Sequence, residues 1–308
     1  MGLKRIKRIA EFLTGCQILE SQDRTLGTVC PWELNRSLPA REDYHDTLQA
    51  LWVWEAYESL TDDHSFRKNQ EAGWQYVLRN QDRFLSPTSP EAWNLGYDSS
   101  YVLLATNRQG RLSSERKLLA ARASRVLAES VKSNPEPGLR EYSNPWWHVS
   151  NLANYGKRMK DKRCLEIARA YAEKWLPSMK FRRGFREGYH SGPGKHDFFS
   201  SHGLAIYAAC CTDTVSLLPT SLMDMLPDRF IARKNDENPW NASVCWGLGR
   251  LLSVTPNERL SRSYESIMRI LDERAKKRGG VLARSEDFPA GESWAAFFWI
   301  FAGLTPVL

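Results

Sequence analysis

Carboxyl, imidazole and aromatic side chains recur together at six places in this 308-residue chain. Glu42, Asp43, Tyr44, His45 and Asp46 form the first cluster, and Trp93, Asn94, Tyr97 and Asp98 the second. Asn144, Trp146, Trp147, His148 and Asn151 form the third, and Tyr189, His190, His196, Asp197 and His202 the fourth. Asp236, Asn238, Trp240 and Asn241 follow, then Glu286, Asp287, Glu292 and Trp294. Of the histidines only His64 lies elsewhere. Cleavage of a glycosidic bond needs a proton donor and a base, commonly two carboxyls, and Asp46, Asp98 and Glu292 are the candidates. Elimination or epimerisation beside a carboxylate instead needs a base and a cation. His148, His196, His202 and Tyr189 are candidate bases, with Arg186 as the carboxylate's partner. Both chemistries are supplied, and the residue types do not choose between them.

Each candidate also has a plainer reading. Asp46, with Gln49 after it, and Asp98 stand where helix N-caps would stand, and so does Asp197. His148 and His202 read equally as hydrogen-bonded core histidines, and Tyr44, Tyr97 and Trp240 as residues that staple a helix start. Caps, however, do not call for His or Trp, so repetition at every cluster favours a site. Two segments strengthen it. Arg182 to His196 carries Gly184, Gly188, Gly192 and Gly194 with Arg186, Tyr189, His190 and Lys195, a donor set suited to an anionic group at a helix N-terminus. Asn144 to His148 reads Asn-Pro-Trp-Trp-His and is echoed at Asn238 to Trp240; Pro suits a first helical turn, and the Trp faces suit stacked sugar rings. Trp147, Asn151, Trp240, Trp294 and Tyr44 join these as candidate substrate contacts. Metal-ligand spacing is missing: His196 and His202 do not share a helix face, and no HExxH is present. Nor is there a Walker, Rossmann or GxSxG pattern. No metal and no cofactor is expected.

The elements that position these groups are helices of two kinds. One kind is amphipathic and belongs at the periphery. It covers Ile6, Ile9, Phe12, Leu13 and Cys16; Phe66, Trp74, Val77 and Leu78; Leu118, Val126 and Leu127; Leu165, Ala168, Tyr171, Ala172 and Trp175; and Leu260, Tyr264, Ile267, Met268 and Leu271. A shorter one falls near Ser216 to Met225. The other kind is apolar nearly all round, begins at each polar cluster (Tyr44, Tyr97, Trp146, His196, Trp240, Trp294), and is therefore buried on every side. These starts recur roughly every 50 residues, the mark of a structural repeat. Six hairpins hide six apolar helices best by closing into a ring, with every inner N-terminus at one mouth. An open α-solenoid is the competing arrangement, though its inner helices are rarely so apolar.

On that alternation the chain resembles the (α/α)6-toroid superfamily over nearly its whole length. The resemblance implies an all-α (α/α)6 toroid of six helical hairpins, one domain over residues 1–308. It also implies a kinship with six-hairpin glycosidases, polysaccharide lyases, sugar epimerases, terpenoid cyclases and prenyltransferases. The expected function is a carbohydrate-active enzyme, a glycoside hydrolase or lyase, acting on an acidic saccharide at the mouth. The alternatives are a terpenoid-cyclase or prenyltransferase-like toroid, or a non-catalytic toroid that binds a polyanion or a protein partner. The acidic DxDD run of class II terpenoid cyclases is not present, and Asp62-Asp63 falls in a helix-helix turn away from the mouth.

Composition agrees with a globular enzyme. Apolar residues are 42% and charged residues 26%, which excludes a disordered chain or a fibre, and 12 Trp suit thick cores and stacking surfaces. The net charge of +7 favours an anionic partner. Its cations are scattered, so nucleic acid is not expected. Six cysteines show no CxxC pair, no run is long enough to span a membrane, and Met1 to Phe12 has no signal-peptide core. The chain reads as cytoplasmic, reduced and acting on a small-molecule or oligosaccharide substrate.

Overall fold

The computed structural model describes residues 3–175, apart from 22, 32, 35–38, 92–94, 107–111 and 134–144, together with 249, 252–253 and 256–277. Among these residues are eight helices and no strand, the one bridge being an isolated pairing of Gln17 with Val29. The helices are α1 (Leu3–Gly15), α2 (Tyr44–Thr61), α3 (Arg67–Phe84), α4 (Leu95–Thr106), α5 (Ser114–Ser133), α6 (Pro145–Met159), α7 (Lys162–Trp175) and α8 (Glu258–Lys277). Helices α2, α4 and α6 pack on one another in chain order, and α3, α5 and α7 do the same outside them.

Burial follows the two sequence patterns. In α2 every residue from Asp46 to Trp54 is buried, and in α4 every residue from Asp98 to Thr106. The outer helices bury one stripe each: Gly73, Trp74, Tyr76 and Val77 on α3, and Leu260, Ile267 and Leu271 on α8. On α5 the expected stripe holds at Leu127 and fails at Leu118. Leu118 is 71% exposed, while Leu119, Ala120, Ala123, Leu127, Ala128 and Val131 face the core. Small residues carry that stripe, so hydropathy alone misplaces it.

Polar links lock the layers. Trp54 Nε1 donates to the Ala10 carbonyl (3.0 Å) and ties α2 to α1. Glu55 Oε1 accepts from Trp74 Nε1 (2.7 Å) and from Arg116 Nη1 (2.9 Å), and that guanidinium lies 4.1 Å from the Trp74 ring centre. One carboxylate thus joins α2, α3 and α5. Arg5 Nη1 and Asp272 Oδ1, 2.6 Å apart, bring α1 beside α8 although they are far apart in sequence. Asp62 ends α2 in a left-handed conformation (φ 56°), its N–H donating to the Glu58 carbonyl, so Asp62-Asp63 lies at the opposite end of α2 from its first turn.

The connection from α1 to α2 is folded down onto α3. Gly27, at φ 94°, would place a Cβ 2.1 Å from the Ala72 carbonyl oxygen, so both backbone and space require glycine. Thr28 Oγ1 accepts from Asp43 N–H (3.2 Å), and Thr47 Oγ1 accepts from Val29 N–H (2.9 Å). These bonds fix the first turn of α2, where the site begins. Among the described residues no helix is long and apolar enough to cross a membrane.

Candidate active site at the inner-helix N-termini

First turns meet first turns. His45 on α2 reaches Asp98 on α4, and Tyr97 on α4 meets His148 on α6 edge to face at 5.5 Å. Helices α2, α4 and α6 therefore run in one direction, with their N-termini at one end.

Asp43 caps α2, accepting from the Asp46 N–H at 3.1 Å. The cap is thus three residues earlier than Asp46, and Asp46 is a buried first-turn carboxyl instead. Between them His45 is the hub. Its Nδ1 lies 3.2 Å from Asp43 Oδ1 and 3.5 Å from Asp98 Oδ1, and its Nε2 lies 3.8 Å from Asp46 Oδ1. Its ring stacks on Tyr101 at 5.6 Å with planes 19° apart. His45 is 26% exposed whereas Asp46 and Asp98 are buried, so solvent reaches the cluster over the imidazole.

The charges follow from this crowding. Burial works against a cation at His45, but the charge of Asp43, the bond to Asp98 and the charge of Asp46 outweigh it and lift the imidazole to about 10. Burial raises the Asp98 carboxyl to about 6, with His45 pulling it down and Asp43 pushing it up. His148 is driven by burial alone to about 4 and is neutral at pH 7. Both His148 ring nitrogens are buried and have no hydrogen-bond partner among the described residues, which speaks against the satisfied core histidine of the plainer reading. Gly96 makes room for it: a Cβ there would sit 2.4 Å from His148 Cε1.

Asp43, His45 and Asp46 each bring one possible ligand atom within 4.8 Å of the others.

Of the residues singled out in the sequence, Asp46, Asp98 and His148 gather at this end. Tyr44 does not face it. Its ring stacks on Phe84 (4.6 Å, 23°) and its hydroxyl donates to the Val77 carbonyl, because position 44 points outward to α3; it staples two helices. Trp147 lies 1% exposed with its ring 5.5 Å from Tyr101, so it backs the cluster and offers no open face. Asn151 donates to the Trp147 carbonyl one turn back (2.9 Å) and is buried. His196, His202, Glu292, Arg186, Tyr189, His190, Lys195, Trp240 and Trp294 lie outside the described residues. His45 stands in the first cluster of the sequence but without a role there, and Tyr101 is not among the candidates; an imidazole flanked by two acids at a helix start was the available signal.

Solved structures share this architecture along nearly the whole chain. An unsaturated glucuronyl hydrolase from Bacillus sp. GL1, responsible for degradation of glycosaminoglycan, matches with a TM-score of 0.63 at 15% identity, over 98% of this chain and 96% of that one. The GH76A alpha-1,6-mannanase of Salegentibacter sp. HEL1_6 matches with a TM-score of 0.63 at 11% identity, over 99% and 98%. An unsaturated glucuronyl hydrolase specific for heparin gives 0.60 at 10% identity, over 99% and 94%. These are (α/α)6-toroid glycosidases, and the chain has their fold: all-α, an (α/α)6 toroid. No family model and no curated protein matches it.

Proposed function

We propose that this toroid, a single domain over residues 1–308, is a glycoside hydrolase acting on an acidic saccharide, with Asp98 as its proton-transfer group. One observation carries the reading: a buried carboxyl in the first turn of an inner helix, raised by that burial to about 6. Such a group gains and loses its proton near neutral pH, as acid-base catalysis demands. Hydrolysis then needs a proton delivered to the glycosidic oxygen and another removed from the attacking water. Asp98 delivers the first. Asp46 is the second carboxyl, reached over the same imidazole. His148, neutral and buried, lies behind Tyr97 at the same end of the inner helices.

The acidic character of the substrate is supported from two sides. The toroid's solved neighbours include glucuronyl hydrolases, whose substrates carry a carboxylate. In the sequence, Arg186 and Lys195 lead toward the fourth inner helix, and cations there would neutralise such a group. The described part of the mouth is itself acidic, so the substrate's carboxylate belongs at that other side. Glu292, His196, His202, Tyr189, His190, Trp240 and Trp294 remain candidates around it.

The test is a substrate panel. Oligosaccharides ending in an unsaturated glucuronyl residue, saturated glucuronides and alpha-1,6-linked mannose oligomers are incubated with the protein, and released sugar is measured by chromatography. Uronyl substrates should be cleaved and neutral ones spared, and Asp98→Asn should lower the rate by about 10²–10⁴-fold. No release from any substrate, or an Asp98→Asn variant as fast as the original, refutes the reading.

A further inference from the structure

We propose that His45 is a positioning residue, which grips the Asp98 carboxyl from the neighbouring inner helix and governs its hold on the proton; this rests on the hydrolase reading above. The geometry carries it. Asp98 and Tyr101 are three residues apart on α4 and so share a face. The carboxyl touches His45 Nδ1 while the phenol ring supports the flat of the same imidazole. Tyr101 is backed in turn by Trp147 on α6. On its own helix, His45 is held by the cap residue: Asp43 Oδ1 faces both the Asp46 N–H and the imidazole. The ring is thus fixed in position by three elements, and one carboxyl from each of two adjacent helices is fixed by the ring.

The charges around Asp98 assign the imidazole its effect. From α2 come His45 itself, the Asp46 carboxyl, and the Tyr44 phenol, which burial and then the charge of Asp98 raise. The cap contributes Asp43, and α6 contributes neutral His148. The Arg122 guanidinium on α5 is committed to Asp82. His45 is therefore the cation in contact with Asp98 among the described residues. Removing it leaves burial and Asp43 unopposed, and Asp98 holds its proton to higher pH. Removing the charge of Asp43 acts the other way.

The experiment is a ¹³C NMR titration of Asp98 in the full chain without substrate, comparing His45→Gln and Asp43→Asn with the original. Asn caps helices as well as Asp, so the second variant keeps the fold while losing the charge. The Asp98 midpoint should rise by about one pH unit or more in His45→Gln and fall in Asp43→Asn. In cleavage assays the acid limb of the rate profile should move with it. If His45→Gln does not fold by circular dichroism, Asp43→Asn alone decides. A midpoint unchanged in both variants, or moving the same way in both, overturns the proposal; an unchanged Asp43→Asn does so if it is the only folded variant. Because the titration needs no substrate, its failure is distinct from that of the hydrolase reading, which is a wild-type protein that releases no sugar.

Discussion

Replacing His148 with leucine, a side chain of similar volume, should make the protein more resistant to acid. In the fold this imidazole is pushed down to about 4 by burial, from an ordinary value of 6.5. The folded state therefore resists a proton that the unfolded chain takes up readily. A group depressed in this way contributes stability above its unfolded value and loses it as pH falls toward its folded one. The difference, at about 1.4 kcal/mol per pH unit, comes to roughly 3 kcal/mol lost between pH 6.5 and 4. Asp98, raised from 3.8 to about 6, has the opposite sign in nearly the same window, with stability lost as pH rises through 6. The two largely mask each other in the wild type. Comparison with His148→Leu removes one and exposes the other. His45, raised to about 10, loses its contribution only above pH 6.5 and does not interfere. Guanidinium denaturation of both proteins from pH 7 to pH 4 reads the effect. At pH 7 the variant should equal the wild type or exceed it by about 1 kcal/mol, since no hydrogen bond is lost and two unpaired polar atoms go. Toward pH 4 the gap should widen by roughly 3 kcal/mol. Parallel stability curves, or a variant much weaker at pH 7, would show that the imidazole is solvated or bonded and that the argument is wrong.

Gly96→Ala places a methyl 2.4 Å from His148 Cε1. Overpacking of about 1–3 kcal/mol should outweigh the helix-propensity gain of about 0.5–1 kcal/mol. The imidazole must shift by about 1 Å against the first turn of α4, which carries Asp98, so sugar release should fall by about 10²-fold, and an unchanged turnover number would contradict the placement. Trp54→Phe removes the interhelical bond to the Ala10 carbonyl and leaves a gap where the buried indole packed, and should cost about 1–3 kcal/mol in thermal or chemical unfolding. An unaltered midpoint would mean that α1 docks on α2 by apolar contact alone.

The helical repeat was legible because burial is written into every position of α2 and α4. The same rule holds only in part on α5, where Ala120, Ala123 and Ala128 bury as surely as leucine but weigh little in a hydropathy pattern, so Leu127 is legible and Leu119 is not told from exposed Leu118. At the site, residue type located the first turns and phase did not. Tyr44 and His45 are neighbours, yet one faces α3 and the other the mouth. A helix turned by one residue exchanges a staple for a hub. Asp46 as cap failed for a related reason. The cap is decided by which backbone residue first turns helical, and Asp43, extended at φ −144°, fills that place. The partnership of His45 with Asp98 spans two helices and has no local signature.

The ion pair between α1 and α8 bears on how the protein is made. Helix α1 packs on α2 through Trp54 and the stripe of Ile6, Ile9 and Leu13, and both helices are made early in synthesis. Its other neighbour, α8, leaves the ribosome last among the described helices, on the order of tens of seconds later. The cluster of His45, Asp98 and His148 is complete once α6 has emerged. Every residue of that cluster is thus synthesised well before Asp272, and Arg5 waits for its partner until the last described helix is made.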